Sequence, residues 1–254
     1  MKKINCKAII IAAGKGMRLR PFTHYLPKSL LNIGKKTIID TQIENYNFFK
    51  IKNISIIVGY KKEEFKLNNI NYFYNSNYQK NNILQSLFYA KKNINGNCII
   101  SYSDIIFHKS VIKKIINLDK PISIVIDIDW KKNYIGRVYH PLNEAEKVQF
   151  DSKNIIKKIG KNLKTFNSKA EFIGMLKLNE TGCNIFKKYY SIAKKKYKNK
   201  KFYNAKNFEQ AYLTDFLNYL IDNNIEINCV KIQSKWMEID TVEDLVKAQS
   251  FFKK

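Results

Sequence analysis

Glycines at 14 and 16 flank Lys15, and within a dozen residues come two cations, Arg18 and Lys28, and two prolines, Pro21 and Pro27. A cluster of this kind suits the handling of a polyphosphate. Backbone N–H groups can approach phosphate oxygens only where side chains are absent, and Arg and Lys then neutralise the charge. Ala12 and Ala13 keep the entrance to the turn small. Two familiar phosphate loops are excluded. A dinucleotide turn would need a third Gly where Leu19 stands. A Walker loop would need Gly-Lys and then Ser or Thr after four spacer residues, and the chain has no such run.

Such a turn must be held by a scaffold. The short apolar run Ala8 to Ala13 reads as a buried parallel strand that ends at the turn. Further strands are expected at 54–58, 71–74, 98–101 and 122–126, with helices between them at 37–49, 82–92 and 109–117. This alternation predicts an α/β, Rossmann-like, mostly parallel sheet with helices on both faces. From 134 to 178 the pattern changes to short apolar stretches broken by turn-like Asp151-Ser152-Lys153-Asn154 and by 162–170. A small, hairpin-rich antiparallel insertion is expected there. Helices at 181–197 and 207–222, a strand at 225–230 and a last helix at 242–252 complete the pattern. No repeat or linker divides the 254 residues, so one domain, 1–254, is expected.

Bulk composition bounds the partners. The apolar fraction is 45%, in the range of folded globular chains. No apolar run approaches the ~20 residues of a membrane helix, and the first run is too short for a signal peptide. Cys6, Cys98, Cys183 and Cys229 are widely spaced and form no metal-type pairs, as in a reduced cytoplasmic protein. The net charge of +25 invites a nucleic-acid partner, yet only Arg18, Arg20 and Arg137 of the 46 basic residues are Arg. Base readout favours Arg, and abundant Lys, Ile and Asn together are what an AT-rich genome would encode. Nucleic acid is therefore not the expected partner. His24, His108 and His140 have no metal-ligand spacing and are assigned to packing or surface.

The pattern Gly14-x-Gly16-x-Arg18-Leu19-x-Pro21, followed by Pro27-Lys28-x-Leu30-Leu31, resembles the signature of the nucleotidyltransferase (pyrophosphorylase) superfamily. The resemblance implies a nucleotide-diphospho-sugar transferase-like fold and an enzyme that joins an NTP to a phosphorylated acceptor, releasing pyrophosphate. Arg18 would stabilise the leaving pyrophosphate, and Lys28 would bridge the α-phosphate and the acceptor phosphate. Ala12, Ala13, Gly14, Lys15, Gly16 and Ser103 would border the nucleotide, although Lys15 is nearly as easily read as solvent-exposed. Mg²⁺ is the implied cofactor, with Asp104 and Asp240 as ligands. Asp104 follows a strand at its carboxyl end, where ligands bind in open α/β sheets. Asp240 precedes a helix, where capping is the plainer role.

Later segments are similar to the phosphocholine cytidylyltransferase-like enzymes, which include cytidylyltransferases acting on 2-aminoethylphosphonate. The similar stretches are Tyr102 to Ile105, Asp127 to Trp130, His140 to Val148, Ala170-Glu171-Phe172-Ile173-Gly174 and Trp236-x-Glu238-Ile239-Asp240-Thr241, with Ala170 where Gly is more usual. CTP and a small amine-bearing phosphate or phosphonate acceptor are thereby implied. An amine cation wants an aromatic face or a carboxylate. Trp130, Tyr134, Glu171, Asp215 and Trp236 are the candidates, each with a packing, capping or ion-pair alternative. For the base, the amide-rich stretch 75–86 offers both donors and acceptors, and Asn82 and Ser86 are selected, against a polar loop that ends in a helix cap. A homodimer is left open.

Three rivals remain. A sugar-1-phosphate nucleotidyltransferase differs only in acceptor. A nucleotide-sugar-dependent glycosyltransferase would use Asp127-Ile128-Asp129 as a metal motif, but such enzymes lack the cation loop. A non-catalytic nucleotide- or nucleic-acid-binding protein would leave Arg18, Lys28, Asp104 and Asp240 unexplained.

Overall fold

A computed structural model describes residues 6–251. Strand β1, Cys6–Ala12, alternates its side chains between two cores. Ile9 and Ile11 face one, and Ala8, Ile10 and Ala12 face the other. That two-residue period is what a strand covered on both sides requires. Each fully buried Ile is worth ~1.5–3 kcal/mol over its exposed state. The turn after β1 is followed by a minimal hairpin, β2 Asn32–Ile33 and β3 Lys36–Thr37, and then by α1, Ile38–Phe48. Thr37 and Asp40 form a reciprocal capping box that fixes where α1 begins.

Strand β4 (Asn53–Val58) pairs parallel with β1, and β5 (Ile70–Tyr74) pairs parallel with β4. After α2 (Ile83–Tyr89), strand β6 (Asn97–Tyr102) joins the other side of β1, again parallel. Then come β7, Ile105–Phe107, helix α3, Lys109–Ile116, and β8, Ile122–Asp127. Helices α1 and α3 cover one face, and α2 covers the other.

The stretch 134–178 holds the expected hairpin, β9 (Lys147–Phe150) with β10 (Ile156–Gly160), turning at Asp151–Asn154. Asp151 accepts from the N–H of Lys153 and of Ile155, an Asx-type turn. Its third strand is not peripheral. β11, Ala170–Leu178, is buried throughout and pairs antiparallel with β6, β8 and β9, so it lies inside the nine-stranded sheet. A strand buried on both faces reads like a central parallel strand, which is why its direction is not evident in the sequence.

The chain continues with α4, Glu180–Lys196, and α5, Leu213–Asp222. β12, Asn228–Ile232, pairs parallel with β8. β13, Trp236–Glu238, and α6, Val242–Ala248, follow. Helix α5 starts later than the expected 207, because Asn207 caps only the single turn Phe208–Gln210. The expected helix limit at Phe252 and the segment before Cys6 lie outside the described residues. Among the described residues no helix is long and apolar enough to cross a membrane. One pairing was not foreseen: β13 lies antiparallel to β7, with Glu238 opposite Ile105. That short ladder positions the site.

Candidate active site

The turn after β1 shows why its glycines matter at two different points. Gly16 has φ +60°, and a Cβ there would fall 2.8 Å from Lys28 Cβ. A side chain at 16 would therefore push the lysine away. At Gly14 a Cβ would meet nothing within 4 Å, so its bareness keeps open space open. Thr23 Oγ1 donates to Gly16 O at 2.9 Å and closes the loop on itself.

Asp104 and Asp240 come from opposite ends of the chain and meet through the β7–β13 ladder. Ile239 N donates to Asp104 O at 2.8 Å. The buried Gln42 of α1 donates to the carbonyls of Tyr102 (2.9 Å) and Ile105 (2.7 Å), clamping the turn that carries Asp104 from both sides. Asp240 sits just before Thr241, the N-cap of α6. Asp244 completes that capping box, accepts from Asp240 N at 3.1 Å, and is gripped by Arg137 at 2.6 and 2.9 Å. Asp240 is thus beside the cap, and its own carboxylate stays free for the site.

Lys28 bridges the two carboxylates. Its Nζ donates to Asp104 Oδ2 at 2.9 Å and to Asp240 Oδ1. Arg18 pairs with the other oxygen of Asp240. Burial alone would lower the Lys28 ammonium, but Asp104, Asp240 and Glu238 outweigh it and hold it above its ordinary range. Burial likewise opposes an ionised Asp240, yet Lys28, His140 and Arg18 keep its carboxyl well below the usual range. Glu238 goes the other way, pushed well up by burial and by Asp240 and Asp104. His140, 1% exposed, has Nδ1 3.3 Å from Asp240 and Nε2 3.5 Å from Glu238, and neither nitrogen makes a well-formed hydrogen bond. His140 is packed, as the sequence allowed, edge-on against the Tyr134 ring, and it also faces both acids, whereas His24 and His108 are exposed.

Asp104 Oδ1 is buried without a partner. An unspent carboxylate oxygen beside a second carboxylate is the donor set that a hard cation such as Mg²⁺ takes, so these residues fit that ion. His140, Glu238 and Asp240 also keep one donor atom each within 4.8 Å of one another.

Two cavities meet at this point. The first, about 180 Å³, is lined by Ala12, Ala13, Gly14, Gly16, Lys28, Asn82, Ser86, Ser103 and Asp104, with Tyr78, Asn81, Ile83 and Tyr102. Buried Asn75 organises its far wall, donating at 2.9 Å to both Asn81 Oδ1 and Ser86 Oγ. Asn82 does double duty: it caps α2 through Ile83 N at 2.8 Å and lines the cavity. The second, about 240 Å³, shares Asn82, Ile83, Tyr102 and Asp104 with the first. Its remaining wall is rich in acids, with Glu144, Glu146, Glu171, Glu238 and Asp240, beside Arg18, Lys161, Tyr212 and Trp236. Gly174, at φ +76°, admits the Tyr102 ring, which a Cβ would approach to 2.5 Å. Burial pushes Glu146 up to about 7 and Glu171 up to about 8.

Of the residues singled out in the sequence, Glu171 and Trp236 line the second cavity, while Trp130 and Asp215 line neither. Trp130 packs with Tyr134 and Ala145 in a small cluster. Asp215 is spent on backbone, accepting from Tyr212 N at 3.0 Å and Asn204 N at 3.1 Å as α5 begins. Lys15 is half-buried and off both walls. Asp127 is fully buried and accepts from Trp236 Nε1 at 2.8 Å and from two backbone N–H groups, so Asp127-Ile128-Asp129 is structural and offers no metal motif. Glu146, Lys161, Glu238 and Tyr102 escaped sequence reasoning, as did His140. No local spacing marks them, because β-pairing between distant segments brings them together.

Residues 7–122 match the family model described as nucleotidyl transferase. The chain is 33% identical over 250 residues to the CTP:phosphoglutamine cytidylyltransferase of Campylobacter jejuni, covering 94% of this chain and 97% of that protein. It is 38% identical over 105 residues to the choline-phosphate cytidylyltransferase of Streptococcus pneumoniae, covering 40% of this chain and 46% of that one. The solved structure of the CTP:phosphocholine cytidylyltransferase from Streptococcus pneumoniae superposes with a TM-score of 0.75 at 22% identity, covering 98% of this chain and 99% of that chain.

Proposed function

The chain belongs to the nucleotidyl transferase family, and from that premise we propose a CTP-dependent cytidylyltransferase of the cytoplasm that joins CMP to a small, amine-bearing phosphate or phosphonate and releases pyrophosphate. The observation that carries the proposal is Lys28, which bridges Asp104 and Asp240 where the two cavities meet. The names of the relatives support cytidylyl transfer and an acceptor such as phosphoglutamine or phosphocholine.

In this proposal the first cavity takes the nucleotide, with the bare Gly14–Gly16 turn under the phosphates. The second cavity takes the acceptor. The acceptor's phosphate oxygen is already anionic near neutral pH, so no residue need remove a proton. It attacks the α-phosphorus in line, a new P–O bond forms, and the bond to the β-phosphate breaks with its electron pair leaving on pyrophosphate. Lys28 holds the α-phosphate and the acceptor phosphate against their mutual repulsion, and Arg18 steadies the departing charge. Asp104 and Asp240 would hold Mg²⁺, which supplies further neutralisation to the phosphate oxygens when bound.

The test is pyrophosphate release with Mg²⁺, crossing the four common NTPs with phosphocholine, phosphoglutamine, 2-aminoethylphosphonate and several sugar 1-phosphates. Release with CTP and a nitrogen-bearing acceptor is the expected result. Release only with a sugar 1-phosphate would keep the reaction and move the acceptor to the sugar branch.

A further inference from the structure

Glu171 is 3% exposed and lines the second cavity from β11. Its Oε1 accepts from the Tyr134 hydroxyl, while Oε2 is buried and has no partner. A buried carboxylate oxygen without a donor is costly, and a cavity wall is where a ligand can supply one. Nearby Glu146 is scarcely better served, with the Thr214 and Tyr102 hydroxyls at 3.4 and 3.5 Å. Four aromatic side chains, Tyr102, Phe172, Tyr212 and Trp236, line the same cavity. Trp236 is 5% exposed with its indole N–H spent on Asp127, the Tyr102 ring packs edge-on to Phe172, and Tyr212 sits at the exposed rim.

Resting on the proposed cytidylyl transfer, we propose that Glu171 selects acceptors whose nitrogen carries N–H, a primary ammonium or an amide, over quaternary nitrogen. An N–H donor completes Oε2, whereas a trimethylated nitrogen has no hydrogen to give and leaves Oε2 unpaired. The groups around Glu171 fit that role. Tyr134 and Arg137 favour its ionised form, Lys147 also faces it, and burial together with Asp127, Glu146 and Glu238 opposes it. Ammonium binding favours the ionised carboxylate, and any proton on Glu171 leaves to solvent.

The experiment measures kcat/KM with CTP for phosphoethanolamine, its N-methyl and N,N-dimethyl forms, phosphocholine and phosphoglutamine. In the wild-type chain the step that removes the last N–H is expected to cost at least ~10-fold. Phosphoglutamine belongs on the favoured side. In Glu171→Gln the same step is expected to flatten to within ~3-fold, with the KM for CTP unchanged, a pattern that a folding defect would not give. Should the variant not fold, the wild-type methyl series decides alone. Phosphocholine used as well as phosphoethanolamine would overturn the selection by Glu171 and leave cytidylyl transfer standing. Absence of pyrophosphate with every acceptor would overturn both.

Discussion

The two cavities are neighbours built on opposite principles. The first is walled by backbone, small side chains and amides, and its cation, Lys28, comes from the same short stretch, 14–28, as its glycines. The second is walled by six carboxylates delivered by four separate segments of chain, 104, 144–146, 171 and 238–240. A triphosphate brings four negative charges to be met by N–H groups and cations, which one loop can supply. A small cationic acceptor needs buried negative charge. Carboxylates packed that closely raise one another's proton affinity, so they must be spread over a rigid sheet. A mostly cationic protein can thus present an acid-lined pocket: the acids are concentrated where the net charge of +25 does not predict them.

Lys28 lines the first cavity and ties Asp104, shared by both, to Asp240 of the second, so its loss should hurt most. Lys28→Ala is expected to lower turnover by ~10²–10³-fold with either substrate saturating, since it removes charge stabilisation at the reacting phosphorus. Circular dichroism should still report a folded chain. Near-wild-type turnover would mean that the junction is not the reacting centre, and the division into two substrate cavities would lose its basis.

Substitutions confined to one side should separate the Michaelis constants. Asn75→Ala removes the hub that holds Asn81 and Ser86, and is expected to raise the KM for CTP by about 10-fold while sparing that for the acceptor. Glu171→Gln is expected to do the reverse. If both variants moved both constants equally, the cavities would be one site.

The first cavity was largely legible and the second was not. Gly14, Gly16, Arg18 and Lys28 could be read together because a phosphate loop is local, and backbone geometry fixes their spacing. The fold was legible for the same reason: β1, β4 and β6 have the apolar runs of buried parallel strands. Glu146, Lys161 and His140 carry no such mark. They reach the site through the pairing of β9 with β11 and the approach of 140 to β13, contacts between segments far apart in sequence. Asp215 shows the converse error. A carboxylate on an amphipathic helix beside Thr214 looked available, but its place at the start of α5 commits it to backbone N–H groups.

The pH response should differ between the sides. Lys28 is held above and Asp240 below their ordinary ranges, so neither changes charge between pH 6.5 and 9. Burial places Glu146 at about 7 and Glu171 at about 8, so both lose protons within that window. An ammonium binds the ionised form, and the kcat/KM for the acceptor is therefore expected to rise with pH through this window and level off only toward its upper end. Working above pH 6.5 keeps ionisation of the acceptor phosphate, near pH 6, from dominating the profile. The profile for CTP should stay nearly flat, and Glu171→Gln should remove the upper step. A fall with rising pH would show that the acceptor meets these carboxyls in their neutral form.

The smallest effect on catalysis is expected at Asp215, and it sharpens the contrast with Glu171. Both are buried acids that looked like partners for a cationic acceptor. Asp215 lies off the cavity and accepts from three donors on Tyr212 and Asn204, whereas Glu171 lies on the wall with an oxygen to spare. Asp215→Asn weakens one helix start and should cost ~1 kcal/mol of stability, seen as a lower Tm. Its KM for the acceptor should match wild type within twofold. A rise comparable to that of Glu171→Gln would mean that α5 shapes the acceptor site through its N-terminal turn, and the boundary of the second cavity would have to extend past Tyr212 to the backbone behind it.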